Sequence, residues 1–72
     1  MNSVKIDGQT VTKGQFVCFK SDHEQTGRVL KIKKTNNTIN LTLESPTSQG
    51  FSGGYIGGQQ ITVVDAGRCW VE

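Results

Sequence analysis

Helical spacing is missing from this sequence: nowhere do apolar residues recur at three- and four-residue steps over three turns. No apolar run approaches the roughly 20 residues that span a bilayer. Met1 leads into polar and charged residues rather than an apolar targeting segment, so a soluble, cytoplasmic chain with no membrane partner is expected. Cysteine is scarce. Cys18 and Cys69 can form one bridge at most, whereas a small secreted scaffold usually carries four or more, which reads as a reducing compartment with both thiols free. His23 is the sole histidine, and in Asp22-His23-Glu24 adjacent side chains diverge, so no metal and no cofactor is expected. Paired catalytic carboxylates, a P-loop, a dinucleotide fingerprint and a nucleophile in a recognisable context are also missing. The chain is therefore expected to be no enzyme and to take no small-molecule substrate.

What remains is a strand-and-turn sequence in 72 residues, 33% hydrophobic and 7% aromatic. A domain of this size buries only about 60% of the surface its unfolded chain exposes, so a surface site is expected rather than a deep pocket. Val, Ile, Thr and Phe cluster in runs of four to seven between Gly, Asn, Asp and Ser. Asp7-Gly8 predicts a type I′ hairpin with Val4 opposite Val11. Gly14 then breaks the chain, and Gln15 to Phe19 reads as a strand that is buried on both faces or carries an exposed aromatic. Ser21 to Thr26 is a predicted loop ended by Gly27, and Arg28 to Lys34 the next strand.

An Asn36-Asn37 turn sets Ile32 against Leu41, Leu30 against Leu43, Lys31 against Thr42 and Lys33 against Asn40. Apolar meets apolar in this register, with Leu30, Ile32, Ile39, Leu41 and Leu43 on the core face. Lys34 opposite Ile39 breaks the pattern at the turn end, and Val29 falls on the polar face, which predicts a bulge or twist near Gly27 to Val29. Glu44 to Gln60 is a long connection with the one proline, Pro46, and five glycines. Ile61 to Val64 is a strand, Asp65 to Arg68 a tight or single 3₁₀ turn, and Cys69 to Val71 a short closing strand around Trp70.

The run Lys13-Gly14-Gln15-Phe16-Val17-Cys18-Phe19, a seven-residue polar loop, and Gly27-Arg28-Val29-Leu30-Lys31-Ile32 together resemble the KOW-type opening of SH3-like barrels. The resemblance covers residues 13–72. It implies an all-β, small SH3-like (KOW- or Tudor-like) barrel of about five strands, with residues 1–12 as an added N-terminal hairpin, in one domain spanning 1–72. Gln15 replaces the usual acidic residue, and the third connection is longer than in the family. The chain is also similar to small proteins of tailed bacteriophages that share Phe-x-Ser-Asp-x-Glu-Gln, here Phe19 to Gln25, and Arg68-Cys69-Trp70. This resemblance implies a bacterial or phage-infected bacterial cytoplasm.

In a meander, alternate connections share one end, so Ser21 to Thr26 and Glu44 to Gln60 should form one rim, gathering Lys20, Asp22, His23 and Glu24 near Phe51 and Tyr55. Those two aromatics would stack on a base or grip a peptide, or one of them would fold back as a lid over the core. The opposite end should carry the Asn36-Asn37 turn and Arg68, with Lys31, Lys33 and Lys34 along the adjacent strand and Arg28 at its start. Such cations suit a phosphate backbone, although alternating lysines also protect exposed strands. Eight basic against six acidic residues, a net charge of +2, makes the general attraction to phosphate modest. The expected function is a monomeric binding module contacting nucleic acid or a nucleic-acid-processing complex such as RNA polymerase or the ribosome. The alternative is an adaptor or inhibitor that binds a partner protein and no nucleic acid.

Overall fold

The computed structural model describes all 72 residues and is all-β. Six strands, β1 (Ser3–Ile6), β2 (Gln9–Thr12), β3 (Phe16–Ser21), β4 (His23–Thr35), β5 (Thr38–Glu44) and β6 (Ile61–Asp65), precede one 3₁₀ turn at Ala66–Arg68. β1 and β2 form a two-stranded sheet, and β3-β4-β5-β6 a four-stranded antiparallel meander. No helix is long and apolar enough to cross a membrane.

Local chemistry accounts for the first hairpin. Asp7 and Gly8 take φ of +52° and +78°, the pair of left-handed residues that a type I′ turn needs, and Val4 pairs with Val11 as the turn dictates. Val4, Ile6 and Val11 all point inward, so the hairpin is not an appendage but one wall of the core. The β2–β3 link is pinned by Gly14 N donating to Val29 O (2.8 Å) and Val29 N donating to Gln15 O (2.8 Å). Gln15 Oε1 accepts from Thr12 N at 2.6 Å, a task for which a neutral amide serves as well as a carboxylate.

The second hairpin corrects the sequence reading. Ser21 to Thr26 is not a loop: Ser21 pairs with His23, Lys20 with Glu24 and Phe19 with Gln25, and the chain reverses at Asp22 alone, with φ +65°. Polar residues here form a strand because a neighbouring loop braces them, as described below. β4 is accordingly 13 residues long.

The third hairpin keeps the predicted pairs Ile32–Leu41, Lys31–Thr42, Lys33–Asn40 and Lys34–Ile39. The expected bulge is present, but between Val29 and Lys31, and it exchanges two residues: Val29, not Leu30, faces Leu43. Val29 is 1% exposed, while Leu30 is half-buried and leaves the predicted core face. One extra residue at Leu30 shifts the two-residue alternation by one step, so everything before it changes face.

The core is one cluster of 12 buried residues drawn from both sheets. Its most enclosed members are Phe19, Leu41, Leu43, Val17 and Val29. Phe51, from the long β5–β6 connection, completes it by packing edge-on against Phe19 with centroids 5.5 Å apart. Closure at the other seam differs from the expected closing strand. Trp70 makes a single bridge to Cys18, with bonds of 2.8 and 3.0 Å, and no ladder follows. The four-stranded sheet is therefore open: β6 pairs with β5 on one side and with nothing on the other.

Candidate functional site

Two surfaces collect the residues to which the sequence pointed. The first is the rim where the β3–β4 turn meets the β5–β6 connection, residues 45–60. This connection is tied shut at its base by Ser45 N donating to Gln60 O (2.8 Å) and held internally by Phe51 N to Gln59 O, Gly58 N to Phe51 O and Gly57 N to Gly53 O, each 2.8 Å. The turn grips it from below. Gln25 Nε2 donates to Ser21 O and Ser52 O (both 2.8 Å), while Gln25 Oε1 accepts from Ser52 N (3.1 Å). Gly54 N donates to the Asp22 carboxylate, and His23 Nε2 lies 2.7 Å from Ser52 Oγ.

The two segments thus share one rim, as the meander order requires, but the long connection is a wired Ω-loop rather than a slack one. Beside it runs a polar cleft of about 450 Å³. Phe51 does not line an accessible stacking site. It is 4% exposed and is the lid over the core, because its ring covers Gly27 and Phe19. Tyr55 is 92% exposed at the loop's outer turn.

The second surface is the outer face of the four-stranded sheet, and the ladder places its residues in rows. Phe16, Arg28, Glu44 and Ile61 form one row across β3, β4, β5 and β6. Lys31, Thr42 and Val63 form the next, and Lys33, Asn40 and Asp65 the third. Phe16 (52% exposed), Ile61 (44%) and Val63 (62%) are three of the five large apolar side chains left open to solvent. Arg28 Nη2 meets Glu44 Oε1 at 3.4 Å, the chain's one ion pair, so its charge is locally balanced. At this exposure the pair adds little to stability, about 0–1 kcal/mol.

The predicted cations do not form one patch. Lys31 and Lys33 share the outer face, but Lys34, opposite Ile39, points to the other side of β4. Arg68 is not grouped with the Asn36–Asn37 turn; its Nη2 reaches back to Lys20 O at 3.3 Å, at the rim end. Lys20 is exposed and opposite Glu24 in the ladder. Phe16, Ile61 and Val63 were missed as site residues. The signal for Phe16 was present in Phe16-Val17-Cys18-Phe19, where four consecutive apolar residues on an alternating strand force one side outward, and that for Ile61 and Val63 in their alternation with Thr62 and Val64.

Comparison with protein-family models, curated proteins and solved structures finds no match to this chain.

Neither thiol is placed for chemistry. Cys18 and Cys69 are both free and buried. Burial, followed by the Asp65 carboxylate, pushes Cys69 up to about 11, with Arg68 opposing. Burial and then Glu72 also raise Cys18. Such thiols stay protonated near neutrality and are poor nucleophiles. No three His, Cys, Asp or Glu side chains stand together where they would hold a metal ion.

Proposed function

We propose that this chain is a non-enzymatic binding module on an SH3-like frame that docks onto another protein through the outer face of its four-stranded sheet. The frame is supported by the antiparallel meander, the single 3₁₀ turn after β6 and the return of Trp70 to Cys18 on the first strand of the sheet. The resemblance to KOW domains makes a protein of a nucleic-acid-processing complex, such as RNA polymerase or the ribosome, the favoured partner.

One observation carries the reading: Phe16, Ile61 and Val63 stand exposed in two adjacent rows around an already neutralised Arg28–Glu44 pair. A solvated sheet face is normally polar. With these side chains 44–62% exposed, covering what remains of each is worth about 0.7–1.9 kcal/mol. The test is a tagged chain purified from its native cells as wild type, as Phe16→Ala/Val63→Ser, and as Lys31→Glu/Lys33→Glu, each checked for folding by circular dichroism. A stoichiometric protein partner lost with the first double variant and kept with the second supports protein docking. Its retention by the Phe16→Ala/Val63→Ser variant refutes it.

A second reading rests on Lys31 and Lys33, which stand on the same face with no carboxylate partner. They would hold phosphates of a nucleic acid backbone. Fluorescence anisotropy with labelled single- and double-stranded oligonucleotides should then show a log-log salt slope near −2, at about −0.9 per phosphate on duplex. No binding at low salt excludes this reading.

A further inference from the structure

The outer edge of β6 is the one long backbone edge of the sheet that hydrogen-bonds to nothing. Ser45 N donates to Gln60 O, which makes residues 45 and 60 a hydrogen-bonded pair. Antiparallel ladders alternate, so Thr62 and Val64 direct their N–H and C=O groups to β5, and Ile61 and Val63 direct theirs away from it. None of the backbone bonds outside the regular ladders ends on Ile61 or Val63.

Natural edge strands are blunted by lysine, proline or a bulge. Ile61-Thr62-Val63-Val64 has none of these, and its β-branched residues favour a further strand. By contrast β4, interior to the sheet, carries the bulge and the lysines. A hollow of about 90 Å³ beside the edge is lined by Thr62 to Val64 of β6 together with Phe19, Lys20 and Ser21 of β3, Ile56 and Arg68. Arg68 donates there to a neutral carbonyl, and neither Arg68 nor Lys20 has a carboxylate partner.

We infer that β6 is a β-augmentation site, which takes an extended, acidic segment of a partner protein as a seventh strand. The backbone groups of Ile61 and Val63 supply the pairing, and Lys20 and Arg68 select for an Asp or Glu beside the hollow. The inference rests on the protein-docking reading and gives it a mode. A second copy of the chain is a poorer occupant, since two five-residue edges alone fall short of the roughly 1,200 Å² that a stable interface buries.

The test uses a display library of random twelve-residue peptides against the folded chain, followed by synthesis of the enriched peptide. The enriched sequences should be β-branched and acidic, and the synthetic peptide should slow amide exchange at Ile61 and Val63, leaving Thr62 and Val64, already bonded to β5, little changed. Val63→Pro removes an outward N–H without touching the β5 ladder and should weaken binding more than tenfold. Val63→Ala, which trims the same side chain but keeps the N–H, should weaken binding less than Val63→Pro, the difference reading the lost backbone bond. Unchanged amide shifts of Val11 and Val17, core residues outside the β5–β6 ladder, confirm that the proline variant is folded.

Binding that survives Val63→Pro but fails in Phe16→Ala overturns the edge and leaves docking through the face intact. Failure of any peptide to be enriched also overturns the edge, whereas the purification from native cells tests docking separately. Concentration-dependent dimerisation of the protein alone, abolished by Val63→Pro, assigns the edge to a second copy and likewise overturns the inference.

Discussion

Gly27 offers the sharpest test of the packing. It lies buried on β4 opposite Val17, and its backbone is outside the left-handed region, so alanine is acceptable to the chain but not to the neighbours. A Cβ there would stand 2.9 Å from Leu43 Cβ, 3.3 Å from Leu43 Cδ1 and 3.4 Å from Phe51 Cζ. The first contact decides the cost, because Leu43 Cβ moves only with the backbone of β5. Overpacking costs about 1–3 kcal/mol, and a clash against backbone-fixed carbon belongs in the upper part, about 2–3 kcal/mol. At ordinary stability per residue, a chain of 72 holds about 4–11 kcal/mol. Gly27→Ala should therefore fold but unfold early.

The assay is urea unfolding followed by the fluorescence of Trp70, the one tryptophan, whose bridge to Cys18 is lost on unfolding. With a slope of about 1 kcal/mol/M, the midpoint should fall by about 2–3 M. Leu43→Ala alone should cost about 2–5 kcal/mol. It removes Cδ1 but keeps Cβ, so adding it to Gly27→Ala should relieve only part of the clash. A midpoint shift for Gly27→Ala below about 0.5 M would refute the close approach of β4 and β5 at this point.

Phe51→Ala should cost about 3–5 kcal/mol and speed amide exchange throughout residues 45–60, since the ring is the loop's one deep anchor; an unchanged melting curve would place Phe51 outside the core. Gln25→Ala removes four hydrogen bonds to the β3–β4 turn and the loop and should cost about 1–3 kcal/mol, with faster exchange at the Ser52 amide as the local readout. The raised Cys69 thiol gives a pH dependence. Below its ordinary value near 9 it is protonated in both states, and between there and about 11 the unfolded chain loses a proton that the folded chain keeps. Stability should therefore fall with rising pH across that window, Cys18 adding in the same sense, and Cys69→Ala should fall less steeply than wild type. Parallel curves for the two proteins would contradict the burial of the thiol.

The features legible in the sequence are those with a local cause. Asp7-Gly8 dictates its own turn and therefore the Val4–Val11 pair. The short Asn36–Asn37 reversal dictates Ile32–Leu41 and Lys33–Asn40, because a two-residue loop leaves one register open. The polar Gln9 to Thr12 stretch and the Asp65 cap of the 3₁₀ turn, whose carboxylate accepts from Gly67 N at 2.7 Å, are local in the same way. Of the candidate site, the meeting of the Asp22 turn with the Gly-rich connection followed from meander order, and the exposed Lys31 and Lys33 from alternation.

Contacts between residues far apart along the chain decided the rest. The bulge at Leu30 turns Val29 inward because β4 must satisfy both the Asn36–Asn37 turn and the clamp of Val29 onto Gly14 and Gln15, two registers one residue out of step. His23 to Thr26 extends as strand, against its polar composition, because Gln25 and Asp22 find partners in Ser52 and Gly54 about 30 residues later. Phe51 could not be assigned to core or site from its glycine-rich surroundings. Only the space above Gly27, left by a missing side chain, brings it inward. The outer face became a row of Phe16, Arg28, Glu44 and Ile61 in the same way. Each strand's alternation is written in its own residues, but which residues stand side by side depends on the register between strands, and three such registers meet in that row.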